Sequence, residues 1–161
     1  MRRSSKAYGQ LKITVSLTIV FHMCTLLAST SAPTPQPPTT ETCTIQFETG
    51  SELTLPVART ADAMKQGLMG KDNPGPGVIF VWPEPGVRGV WMKNTPASLS
   101  AGWISAKGEL QTILELEPQI MEKRSSFEPA IAIIEVPKGT FQKVGIRIGD
   151  QVAKADCLSF R

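Results

Sequence analysis

The chain has 161 residues with 17 basic and 14 acidic side chains and one histidine, a length that supports one folded core and not two. The first 28 residues carry Arg2, Arg3, Lys6 and Lys12 and no acid, so the remainder sets 13 bases against 14 acids, a net charge of −1. That balance supplies no basic excess to favour phosphate backbones, so no nucleic-acid partner is expected. His22 also falls in the first segment, which leaves the rest of the chain without an imidazole for acid/base work or metal binding.

Residues 1–28 have the layout of a secretory signal: a basic start, an apolar stretch from Ile13 to Ala28, then the small residues Ser29 to Ala32. The expectation is export to the periplasm or cell envelope. The alternative is an uncleaved amino-terminal anchor that leaves the protein attached to the membrane, since Pro33 follows the small residues directly. Residues 29–42 hold Pro33, Pro35, Pro37 and Pro38 among threonines and serines and read as an extended linker. A single domain then runs over 43–161, bounded by Cys43 and Cys157. In an oxidising compartment these two cysteines are expected to form a disulfide, and a pair of free thiols is the alternative.

Within the domain, Thr44 to Glu48 and Glu52 to Val57 alternate apolar and polar residues about Thr49-Gly50-Ser51 and predict a β-hairpin. Thr60 is placed to cap a short helix from Ala61 to about Met69, stopped by Gly70. Val78 to Trp82 is apolar on both faces, as a covered central strand would be, and Pro83-Glu84-Pro85-Gly86 predicts a turn. Further strands are expected at Gly89 to Lys93, Ala101 to Ser105, Leu110 to Leu116 and Ala130 to Val136, with Glu117 to Glu128 as a surface loop. A second short helix near Lys138 to Val144 and a last strand from Gln151 to Leu158 complete the pattern. Many strands, two short helices and no regular alternation of the two predict a mainly β protein, a compact β-barrel or sandwich.

The stretch richest in chemistry is Trp91-Met92-Lys93-Asn94-Thr95. As a strand it would put Trp91 and Lys93 on one face and Met92 and Asn94 on the other, with Asn94-Thr95-Pro96 ending it. As a ligand site, Trp91, Lys93, Asn94 and Thr95 would line a pocket, the indole offering a flat surface and the ammonium a cation. An enzyme without histidine would need Lys93 as base for Ser98 or Ser100, a hydrolase-like arrangement. A soft Cu(I) site would draw on Met64, Met69 and Met92 with Trp91. No second signature accompanies either, so no catalytic residue, metal ligand or cofactor is assigned, and the reading is an accessory or binding protein for an envelope ligand or protein.

Four segments carry a resemblance: Gly67-Leu68-Met69, Gly77 to Pro83, Trp91 to Thr95, and Val136 to Thr140 continuing through Gly145 to Asp150. In this order and spacing the chain resembles the bacterial and archaeal family called domain of unknown function 192. The resemblance implies a compact β-rich domain, commonly exported or lipid-anchored, and implies no activity, substrate or cofactor. Two positions depart from the family pattern: Met64 stands where an arginine is usual, and Ser100 where an aspartate is usual. A polar cluster built on that arginine and aspartate is therefore incomplete in this chain.

Overall fold

In the computed structural model the described residues are 41–160; the signal and most of the linker expected from the sequence lie outside them. Strands β1 (Thr42–Phe47) and β2 (Glu52–Ala58) form the hairpin, with Ile45 opposite Leu53. Alternation turns Cys43, Ile45, Phe47, Leu53 and Leu55 inward. Helix α1 (Ala61–Gln66) begins where the Thr60 hydroxyl accepts the Ala63 N–H and ends at Gly67, whose φ of 42° suits glycine. It is shorter than the sequence suggests, because a turn follows it at once. Strand β3 (Val78–Gly86) then runs parallel to β2, so β2, α1 and β3 make a crossover unit. The expected turn at Pro83 to Gly86 is instead the end of β3: the strand continues through an irregularity in its pairing between Val81 and Gly86, where missing proline donors are tolerated.

Strand β4 is only Gly89–Val90 and pairs with β7 (Arg124–Ser125), which lies in the stretch expected to be loop. Strands β5 (Leu99–Ser105), β6 (Leu110–Leu116) and β8 (Ala130–Pro137) follow, with helix α2 (Thr140–Val144) and strand β9 (Val152–Ala155) closing the chain. The main sheet has seven strands in the order β6-β5-β8-β3-β2-β1-β9 and curls into a half-barrel. Its two edges meet at one end, where Leu110 N–H donates to Asp150 O (2.9 Å), Val152 N–H to Gly108 O (2.9 Å) and Gly149 N–H to Leu110 O (2.8 Å).

Curling divides the apolar residues between two faces. The inner face gathers Ile45, Leu55, Ile79, Ile134 and Val136 around Phe141 of α2. Gly102 makes room for that ring, since a methyl there would lie 2.8 Å from it. The outer face gathers Phe80, Val90, Met92, Leu99, Trp103 and Ile133 beneath α1 and the chain around Met92. Both faces of β8 are therefore buried, which explains an apolar run with no alternation.

Cys43 and Cys157 are joined by a disulfide across a sequence separation of 114 residues. Beside it the Arg59 guanidinium donates to the Glu41 carboxylate and to Cys157 O (2.8 Å). A cross-link of this span removes unfolded-chain entropy worth about 4 to 5 kcal/mol. Unreduced, denatured protein should therefore show no reactive thiol from this pair, and a Cys43→Ala/Cys157→Ala variant should lose about 4 to 5 kcal/mol in urea unfolding.

Candidate functional site

One opening on the outer face is a crevice of about 500 Å³, open solvent at its mouth included. One wall is the last turn of α1 and the residues after it, Met64 to Met69; the other is Gly89, Val90, Trp91 and Thr95. Phe80 and Trp82 of β3 and Glu135 of β8 complete the lining. Three of the segments that carry the family resemblance thus converge here: Gly67 to Met69, Gly77 to Pro83, and Trp91 to Thr95.

The walls are fixed by main-chain bonds. Gly70 N–H donates to Asn94 O (2.7 Å), tying the turn after α1 to the opposite wall, and Gln119 N–H donates to Thr95 O (3.0 Å) from the other side. Met92 N–H donates to Ile120 O (3.0 Å). These bonds shape the run from Trp91 to Thr95 as a turn and not the expected strand. Asn94 has φ 53°, a left-handed conformation that asparagine tolerates better than most residues.

Of the four candidate ligand-binding residues, the crevice takes in Trp91 and Thr95. Trp91 is 46% exposed and Thr95 only 3%, with its hydroxyl donating to Lys93 O (3.3 Å). Asn94 is exposed and serves the turn through its carbonyl. The Lys93 ammonium lies over the Trp91 ring, 5.4 Å from its centroid, outside the crevice lining. Neither Ser98 nor Ser100 hydrogen-bonds to it among the described residues.

Ser100 belongs to the opposite face of β5 from Leu99 and Ala101. There its hydroxyl contacts both oxygens of the Glu115 carboxylate (2.8 and 2.9 Å) and accepts the Gly139 N–H (2.9 Å). The two departures from the family pattern are thereby separated, Met64 in the crevice and Ser100 across the sheet. The methionines of the copper reading are also divided. Met64 and Met69 line this crevice, whereas Met92 is 2% exposed and borders a second opening with Glu115, Ile120 and Arg124. Among the described residues no three His, Cys, Asp or Glu side chains are grouped to hold a metal ion.

Glu135 is the residue that sequence reasoning missed. It is paired in the sheet with Val78 of β3 on one side and Ala101 of β5 on the other, both buried and apolar. Its side chain is 5% exposed and makes no hydrogen bond or ion pair among the described residues. Gly77 fixes the strand here: a methyl on it would lie 2.1 Å from Glu135 O. Burial pushes the Glu135 carboxyl up from the usual 4.5 to about 7. The available signal was an ionisable side chain inside the apolar run Ala130 to Val136, where a charge has no ordinary place.

This burial fixes a pH dependence of stability. Below about pH 4.5 folded and unfolded chains both hold the proton, so the carboxyl costs nothing. From about 4.5 to 7 the unfolded chain releases it and the folded chain does not, and the destabilisation grows until it is complete above about pH 7. Glu135→Gln should therefore stabilise the protein by up to about 3 kcal/mol at pH 8 and by almost nothing at pH 4, measured by urea unfolding across that range.

Comparison with known proteins agrees with the architecture. A structure from Sinorhizobium meliloti 1021, provisionally described as a transcription regulator, matches with a TM-score of 0.65 at 27% identity, covering 73% of this chain and 95% of that one. A protein of unknown function from Novosphingobium aromaticivorans DSM 12444 matches with a TM-score of 0.63 at 23% identity, covering 78% and 94%. No curated protein sequence matches the chain. Residues 44–154, which include most or all of every strand and every wall of the crevice, match the family model DUF192, described as an uncharacterized ACR, and the chain belongs to that family.

Proposed function

We propose that this protein is an exported binding protein of the cell envelope that holds a small ligand in the crevice between α1 and the turn at Trp91 to Thr95. The observation that carries the reading is Glu135: an acid without a partner among the described residues, in the lining of an apolar and aromatic opening that resemblance-bearing segments build together. Ligand sites characteristically combine a mostly apolar lining with a few polar groups and one perturbed titratable side chain.

Export is supported by the layout of residues 1–28 and by a disulfide that suits an oxidising compartment. Binding without turnover is supported by the crevice's polar side chains, which are Lys65, Gln66, Thr95 and Glu135. Thr95, the lining hydroxyl, donates to the Lys93 main-chain carbonyl, and among the described residues no hydrogen bond joins it to an ionisable side chain. The regulator description of the Sinorhizobium protein is not extended to nucleic-acid binding by this chain, whose domain over 43–161 carries no excess of bases over acids.

Two measurements test the reading. Fractionation of cells making the full chain should place it in the envelope or periplasmic fraction, and recovery in the cytosol would refute export. A small-molecule screen followed by NMR should produce hits that shift the indole N–H signals of Trp82 and Trp91. The Trp103 indole, which donates to Arg88 O at 3.0 Å, should stay still as an internal control. Trp91→Ala should weaken such hits at least about tenfold; hits that ignore Trp91, or none at all, would sink the assignment of the crevice.

A further inference from the structure

Resting on the crevice as a ligand site, we propose that the group it takes is an alkylammonium, a protonated amine on an apolar stem, with the ionised Glu135 carboxylate as its counter-charge. Three features of the opening select this chemistry. First, the carboxylate offers about four acceptor positions, and no described side chain fills one. An ammonium brings three donors and the opposite charge on a narrow stem, so it satisfies hydrogen bonding and charge together. Second, Met64, Leu68 and Phe80 line the same opening. Methylene groups find dispersion contacts there that a strongly polar ligand would waste. Third, the indoles at this opening already hold cations of the chain itself: Arg88 lies 4.9 Å from the Trp82 ring centroid and Lys93 5.4 Å from that of Trp91.

Competing ligands fit less well. A divalent metal needs several oxygen ligands, and Glu135 is the only carboxylate in the lining. An anion would meet Glu135 in the lining of the crevice. A neutral carbonyl could accept from the protonated carboxyl, but it recovers none of the charge attraction available in a poorly solvated site.

The charged groups around Glu135 are few. From the α1 wall comes Lys65, exposed at the mouth; Arg88 and Lys93 lie against their indoles; β3 and β5 present Val78 and Ala101 in register. The mouth cation opposes an approaching ammonium only weakly, because exposed charges are screened within about 8 Å at physiological salt.

Because burial raises the Glu135 carboxyl to about 7, amine binding must displace its proton below that pH. Its ionised fraction drops from about nine-tenths at pH 8 to about one-tenth at pH 6, so amine affinity should fall about tenfold over that interval.

The experiment is titration calorimetry of the full chain with n-hexylamine, n-hexanol and hexanoate as probes, at pH 6 and pH 8. The expected result is n-hexylamine binding at least tenfold tighter than either comparator at pH 8, about tenfold weaker at pH 6, and at least tenfold weaker to Glu135→Gln. Met64→Lys, which puts a cation of the chain into the same opening, should abolish amine binding while leaving the thermal transition in place. A capped Gly-Lys-Gly peptide run alongside tells a free amine from a lysine side chain of a partner: whichever of the two binds tighter names the source. Hexanol or hexanoate binding as tightly as the amine, with a Trp91-dependent signal, would overturn the ammonium proposal and leave the crevice standing as a ligand site. Amine binding that Glu135→Gln leaves unchanged, or no binding by any probe, would also overturn it.

Discussion

The structure depends on β8 being hydrogen-bonded on both sides, to β3 and to β5, with both of its faces covered. Val78, Glu135 and Ala101 lie side by side across the three strands. A slip of one residue would exchange every side chain between the faces. It would drive Glu135 into the inner cluster of Ile45, Ile79 and Phe141, where nothing could solvate it, so the buried acid helps to specify the register that buries it. Gly77 reinforces the constraint, because its Cα approaches Glu135 O more closely than any side chain would permit.

The sheet was largely legible in the sequence because its elements are marked locally. The hairpin of β1 and β2 follows from alternation about a glycine turn, α1 from the Thr60 cap, and the central strands β3 and β8 from their largely apolar runs. What was not legible depended on partners distant in sequence. Arg124 and Ser125 are polar and exposed, with no strand pattern of their own, and become β7 only because Gly89 and Val90 lie alongside. Prolines 83 and 85 signal a turn, yet β3 continues because the register shift absorbs the missing donors. The run from Trp91 to Thr95 looks like a strand end until Gly70 and Gln119 bond to it and bend it into a turn.

The site was legible to a lesser degree for the same reason. Trp91 and Thr95 were visible as chemistry-bearing residues in a dense motif, whereas Lys93, the most reactive of that group, lies over an indole outside the crevice. Glu135 was hidden by its setting: read locally, one acid in an apolar strand looks like a position that faces solvent. Only the packing of α1 and the chain around Met92 over the outer face of β8 shows that this position is buried and reached through the crevice alone. Met64 adds to this. Where the resemblance leads one to expect an arginine, the crevice is lined by a thioether.

The bonds from Gly70 to Asn94 and from Gln119 to Thr95 have a consequence for how this fold can diversify. Both join main-chain atoms, so the separation of the crevice walls is written in the backbone and is insensitive to which side chains stand at 91 or 64. Exchanging those side chains would alter the polarity, charge and depth of the opening without moving its walls. A fold held by such a clasp can therefore keep one architecture while substitutions at its walls change the character of the opening.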